Sequence, residues 1–263
     1  METISIEHDG RGVAWLWLDR AEKHNALSAR MIAELHEAAR ILGADRSVRV
    51  VVLAARGRSF CAGGDLGWMR EQFNAAPATR AREAGALARM LQALNTLPKP
   101  LIARVQGNCF GGGLGMVSVC DVAVGVPGVT MALTETRLGL IPATIGPYVA
   151  ARMGEGNARR VFMSGRRFDA AEAERLGLLA RVVPEDMLDR AIEEEVAPYL
   201  DCAPQAVARA KALLRRLGPP ISEEEIAHSV AELVACWEGE EAPEGIAAFF
   251  DKRKPGWQTR DKG

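Results

Sequence analysis

Two stretches of this chain run an almost continuously apolar strand straight into a cluster of glycines. VRVVVLAA (48–55) leads to FCAGGDL (60–66), and PLIARVQG (100–107) leads to NCFGGGLG (108–115). A strand that is apolar on both faces must be covered on both faces, the setting of a parallel sheet flanked by helices. The second stretch continues as FGGGLGMVSVCD (110–121), with four glycines where a helix begins. Each glycine inside a helix costs roughly 1 kcal/mol against Ala. Their use is close approach: a ligand can touch the backbone where no side chain stands. A strand-then-glycine loop puts peptide N–H groups at the carboxyl edge of a sheet, where open α/β folds bind ligands. A helix N-terminus there adds unpaired donors and the positive end of a dipole.

What those donors hold follows from what is missing. Phosphate loops need GxxxxGK[ST], or GxGxxG after a first strand, and neither cluster supplies the lysine or the placement. One such cluster alone is equally well explained as a tight packing turn. Two of them, each after a strand, favour a pair of N–H donors around one oxygen, an oxyanion hole.

The remaining pattern alternates. TISIEH (3–8) and GVAWLWLD (12–19) flank Asp9-Gly10-Arg11 and read as a hairpin. Ser28 caps a helical pattern, ARMIAELHEAARIL. Further helices are expected over 80–96, near 147–153 and 156–163, and after Asp169, with strands at VAVGV (122–126) and RVVP (181–184). From about residue 186 the chain reads as helix only. The fold class is therefore α/β, with residues 1–200 as the core and 201–263 as a helical region for packing or oligomerisation. No repeat of fixed period is evident. Acids and bases nearly balance, at a net charge of −1, so there is no nucleic-acid or membrane-surface footprint. No apolar run spans a bilayer and no secretory signal opens the chain. Five scattered cysteines read as reduced core thiols of a cytoplasmic protein. Four histidines without ligand spacing give no reason to expect a metal.

The motifs KHNALS (23–28), RSFCAGGDL (58–66), PKPLIARVQGNCFGGGLGMVSVCD (98–121), ETRLGLIP (135–142) and EGIAAFFDKRKP (244–255), in this order, resemble the enoyl-CoA hydratase/isomerase (crotonase) superfamily over nearly the whole chain. The resemblance implies a spiral of ββα turns with a C-terminal helical trimerisation region, assembled as a trimer or a dimer of trimers. It implies an acyl-CoA thioester as substrate, coenzyme A being part of the substrate and no further cofactor being needed. The thioester oxygen would sit between the N–H groups of Gly64 and Gly112, with Gly111 beside them. Ala62, Asp65 and Leu66 would line the acyl-CoA channel. Phe249 and Lys252 would meet the nucleotide end, from a neighbouring subunit.

The resemblance also marks two positions for catalytic glutamates. The first is Gly115 here and carries no acid; the second is Glu135. Its apolar neighbours would raise its pKa into a useful range; without the resemblance, pairing with Arg137 would be the simpler reading. A lone carboxylate suits an isomerase, which removes and returns one proton, and it can also serve a hydratase by taking a proton from water and delivering it to carbon. FCAGGDLGWM, GGGLGMVSVCD and TETRLGLIPATIGPYV resemble the branch that hydrates methylglutaconyl-CoA and isohexenylglutaconyl-CoA. Such substrates carry a second carboxylate, and Gly115 would give it room and remove a repelling charge. On that reading Gly115→Glu would impair a glutaconyl substrate more than crotonyl-CoA. Tyr148, Trp68 and Met69 are further candidates for shaping the acyl pocket, whereas His24, Trp15 and Trp17 read as structural.

Overall fold

The computed structural model describes residues 1–259. Chain order is β1 (Ile4–His8), β2 (Val13–Leu18), α1 (Ala29–Ala44), β3 (Val50–Ala55), β4 (Ser59–Cys61), α2 (Leu66–Phe73), α3 (Pro77–Asn95), β5 (Leu101–Val105), β6 (Asn108–Phe110), α4 (Gly112–Val119), β7 (Val122–Gly125) and β8 (Thr130–Ala132). A 3₁₀ turn over Glu135–Leu138 follows, then α5 (Gly146–Met153), α6 (Glu155–Phe162), β9 (Phe168–Asp169), α7 (Ala170–Arg175), β10 (Arg181–Val182), α8 (Leu188–Leu200), α9 (Pro204–Leu217), α10 (Glu223–Glu238), α11 (Glu241–Phe250) and α12 (Gly256–Thr259).

Six strands form one sheet in the order β1-β2-β3-β5-β7-β10, with β1 antiparallel to β2 and the other pairs parallel. β3 is buried at every residue, as its unbroken apolar run requires. A second, smaller sheet runs β4-β6-β8-β9. Each central strand of the large sheet hands the chain to a three-residue strand of the small one, and then to a helix: β3-β4-α2, β5-β6-α4, β7-β8-α5. This is the expected ββα spiral. Its repeat escapes the sequence because β4, β6 and β8 are too short to show a period.

Local signals act where they stand. The Ser28 hydroxyl accepts from Met31 N and starts α1. Asp169 accepts from Glu172 N and starts α7. α4 is buried from Gly113 to Val119, as a helix apolar on all sides must be. Gly113 permits that packing, because a Cβ there would lie 2.9 Å from Cys61 Cβ and 3.0 Å from Cys61 O. Cys61, Cys109 and Cys120 lie in this core, and burial raises the pKa of each thiol. Trp15 and Trp17 stack on one face of the hairpin with centroids 5.4 Å apart. No helix among the described residues is long and apolar enough to cross a membrane.

The helical tail is tied to the sheet by charge. Asp121, just after α4, accepts from Leu101 N at 2.8 Å and from Lys211 Nζ of α9 at 2.7 Å. Lys211 also donates to Lys99 O, and Arg215 reaches Asp121 from the next turn of α9. α10 begins with a Ser222/Glu225 capping box and lies along α3, where Gln92 Nε2 holds Ile221 O. Trp237, Ala242 and Ile246 of the tail form a small apolar cluster with Leu140. Residues 260–263 of the expected helical region lie outside the described residues. Because Lys211 is almost fully enclosed, Asp121→Ala leaves a buried ammonium unpaired. The expected loss is about 2–4 kcal/mol, read as a lower urea midpoint at unchanged m.

Candidate active site

The two glycine loops and the Glu135 turn converge on one cavity of about 490 Å³. Gly111 has φ +48° and ψ −116°, a backbone open to glycine, and it swings the chain from β6 into α4. Gly112 N–H is then the first donor of that helix. Gly64 N–H lies opposite, in the loop that pairs through a bridge with Leu27. Leu27 N donates to Gly63 O and Asp65 N to Leu27 O, so the bridge does not use Gly64 N. Among the described residues neither Gly64 N–H nor Gly112 N–H has an acceptor. Both glycines line the cavity, with Ala62, Leu66 and Gly111.

Glu135 opens the 3₁₀ turn after β8 and points into the same space. Its Oε1 lies 3.0 Å from where a Cβ on Gly111 would stand, so any other residue at 111 would displace the carboxyl. Oε2 is buried and has no hydrogen-bond partner among the described residues. Among the described residues Arg137, the candidate ion-pair partner, is not paired with it. Burial pushes the Glu135 carboxyl up to about 7, against the opposing pull of the backbone N–H groups of Glu135 and Thr134. An acid with that pKa exchanges a proton readily near neutral pH. The tail supports the turn from behind: Gly245 of α11 packs backbone to backbone on it, where a Cβ would meet Leu138 C at 2.5 Å.

Three sequence expectations need correction, those for Asp65, Gly115 and Tyr148. Asp65 does not line the cavity. Its Oδ1 accepts from Gly67 N and Trp68 N, starting α2, and its Oδ2 accepts from Arg20. Those bonds hold its pKa below the usual carboxylate range against burial, which pulls the other way. Gly115 does not line the cavity either. A Cβ there would lie 2.6 Å from Ile145 Cγ2 and 3.2 Å from Leu91 Cδ1, so the room left by the missing glutamate is taken by Ile145. Lys252, at φ +54°, is exposed on the turn after α11 and is not part of this chain's own cavity, a placement that leaves it free for the neighbouring subunit expected from the sequence. Phe249 does reach the cavity, but that of its own chain. Tyr148 is buried and donates from its hydroxyl to Ala88 O at 3.0 Å, joining α5 to α3 instead of shaping the pocket.

Trp68, Met69, Thr144 and Ile145 lie within motifs of the sequence, and Gln72, Arg80, Leu87, Leu233 and Trp237, which also line the cavity, carry none. Trp68, Met69 and Gln72 come from α2, Arg80 and Leu87 from α3, Thr144 and Ile145 from the segment before α5, and Leu233 and Trp237 from α10. α2 is clamped at both ends: Asp65 receives its first N–H groups, and Arg80 donates to Gln72 O and Phe73 O at its last turn. The signs of both charges match the helix dipole.

Residues 8–260 match the enoyl-CoA hydratase/isomerase family. The chain belongs to that family. A crystal structure of an enoyl-CoA hydratase from Mycobacterium avium superposes with a TM-score of 0.85 at 32% identity, covering 98% of this chain and 99% of the other. An enoyl-CoA hydratase from Shewanella pealeana superposes at 0.80 with 36% identity, covering 97% and 96%. The mevalonyl-coenzyme A hydratase of Aspergillus fumigatus is 33% identical over 250 residues, 92% of this chain and 90% of that protein. This crotonase-type fold agrees with the resemblance read from the motifs.

Three outcomes follow for the site. Glu135 holds its proton more tightly folded than unfolded, so it lowers wild-type stability as pH rises from about 4.5 through about 7. Glu135→Gln removes that slope: its denaturant midpoint relative to wild type should climb between these pH values and level off above them. Gly115→Ala should cost about 1–3 kcal/mol through overpacking. In combination with Ile145→Ala the loss should fall short of the sum by about 0.5–3 kcal/mol in a double-mutant cycle. Gly115→Glu, for the same steric reason, should impair glutaconyl and crotonyl substrates alike, in place of the selective effect expected from the sequence.

Proposed function

We propose that this protein is an enoyl-CoA hydratase acting on a 2-enoyl-CoA that carries a second carboxylate, of the 3-methylglutaconyl type. The observation that carries the reaction is the Glu135 carboxyl, unpaired and shifted to about 7, in one cavity with the free N–H groups of Gly64 and Gly112. The thioester oxygen accepts both N–H bonds and takes up negative charge as water adds to C3. The ionised Glu135 receives a proton from that water; the protonated carboxyl then gives it to C2, and the enolate collapses to the 3-hydroxyacyl thioester. One carboxyl in two protonation states thus does the work of two.

The carboxylated acyl group is supported by the charge of the lining. Arg80, Arg137 and Arg167 face a cavity whose one acidic lining residue, among the described residues, is Glu135. The names of related hydratases support the hydration step. Trimeric assembly belongs to the same reading, and the exposed Leu213, Leu214 and Leu217 of α9 support it.

Purified protein is mixed with 3-methylglutaconyl-CoA, crotonyl-CoA and a 3-enoyl-CoA, and products are followed by mass. The expected result is gain of one water on the glutaconyl substrate, reduced about 10²–10⁴-fold in Glu135→Ala. The hydration rate should rise with pH on a limb near 7. A shifted double bond without a change of mass would make the protein an isomerase, the reaction that a single glutamate also permits. Binding without turnover of any of the three would make it a non-catalytic acyl-CoA binder.

A further inference from the structure

Four buried side-chain polar atoms lack a partner among the described residues: Trp68 Nε1, Gln72 Oε1, Gln106 Oε1 and Glu135 Oε2. Gln106 uses its other amide atom to bridge the carbonyls of Ala55 and Gly57. The remaining three residues line the catalytic cavity. Leaving a buried polar group unbonded costs about 1–3 kcal/mol each, and an apolar side chain at 68 or 72 would avoid that cost. Glu135 has chemistry to justify it. Trp68 and Gln72 have none in the hydration step.

Their placement is specific. They stand four residues apart on α2, hence on one face of that helix. Trp68 Cε3 is 3.8 Å from the Cβ position of Gly64, which sets the indole beside an oxyanion donor. Gln72 is held by its own carbonyl, which accepts from Arg80 Nε at 2.9 Å. Arg80 is largely enclosed, packs over the Trp237 ring, and pairs with Glu238 at the cavity rim. It bonds Gln72 O, Phe73 O and Glu238, which leaves two of the five guanidinium N–H bonds without an acceptor among the described residues.

We propose that Trp68 Nε1–H, the Gln72 amide and Arg80 form a subsite for the second carboxylate of the acyl group. This rests on the acyl-CoA reading and assigns its substrate class to residues. Trp68 can only donate, and the Gln72 amide can turn its NH₂ toward an acceptor. A carboxylate takes both bonds, and Arg80 balances its charge, partly offset by Glu238. An alkyl end would leave the Trp68 N–H and the Gln72 amide unsatisfied. The subsite also relieves the difficulty that Gly115 fails to solve: Ile145 fills the space beside Gly115, so the carboxylate is accommodated along α2.

The test is calorimetric binding of two saturated thioesters, glutaryl-CoA and pentanoyl-CoA, which needs no turnover. Wild type should bind glutaryl-CoA tenfold or more tightly than pentanoyl-CoA. Trp68→Phe and Gln72→Leu should each shrink that ratio, the double variant should bring it close to one, and Gln72→Glu should invert it by like-charge repulsion. Equal binding of both ligands by wild type, or a ratio that survives the double variant, overturns the subsite. Tighter binding of 5-hydroxypentanoyl-CoA than of glutaryl-CoA overturns its assignment to a carboxylate. An intact ratio in a protein that fails to hydrate 3-methylglutaconyl-CoA removes the proposed reaction and leaves the subsite. Hydration of crotonyl-CoA with equal ligand binding does the reverse.

Discussion

A carboxyl group enclosed by protein, with one oxygen bonded to nothing, is a costly thing to hold in place. Water would hydrate it and an arginine would ionise it; either would return its pKa to the ordinary range. Glu135 keeps its raised pKa because its surroundings are shaped around it. Gly111 has no side chain to displace the carboxyl, and its positive φ starts α4 with a donor facing the same space. Gly245 lets α11 approach the Glu135 turn backbone to backbone, closing it from outside. Arg137 in the same turn and Arg80 across the cavity also line this space, but among the described residues neither bonds the Glu135 carboxyl, and Arg80 is engaged by Gln72 O, Phe73 O and Glu238. The Glu135 carboxyl and the Gly64 and Gly112 N–H groups therefore share one cavity walled largely by apolar side chains, where charge is screened less than in bulk water.

The tail belongs to the same construction. α10 lies on α3 and contributes Leu233 and Trp237 to the cavity wall, while Asp121 holds α9 through Lys211 and Arg215. Arg80 links three parts at once: the last turn of α2, the Trp237 ring and Glu238. A helix of only eight residues would fray if left alone. Clamped by Asp65 and Arg80, α2 becomes a fixed wall that presents Trp68, Met69 and Gln72 inward.

Much of this was readable from residues alone, and the failures have physical reasons. β3 and β7 announce themselves by unbroken apolar runs, β5 by one interrupted only at Arg104, α1 and α7 by their caps, and the two cavity-lining loops by glycines after strands. The short strands β4, β6 and β8 have no room for a pattern, so the ββα repeat is invisible until the chain folds. Glu135 was placed by motif, but its isolation from Arg137 is a fact of three dimensions. Asp65 was misread because a cap and a ligand-lining acid look alike in sequence. Gly115 was misread because the occupant of its space, Ile145, comes thirty residues later. Gln72 and Arg80 gave no signal, since nothing near them in sequence shows that a cavity will form there.

That shared space has a historical consequence. A lineage that carries the glycine and the isoleucine cannot recover a carboxylate at position 115 in one step, because the new side chain would enter volume already occupied. Nor can it shrink Ile145 first without opening a hole beside its own active site. Each change is harmful alone and tolerable with the other, so the two positions are expected to be inherited as a pair. A relative bearing a glutamate at the equivalent of 115 should carry a smaller residue at the equivalent of 145. Sequences with glycine and with glutamate at 115 are then separate basins, and descent along this line keeps the glycine with its isoleucine.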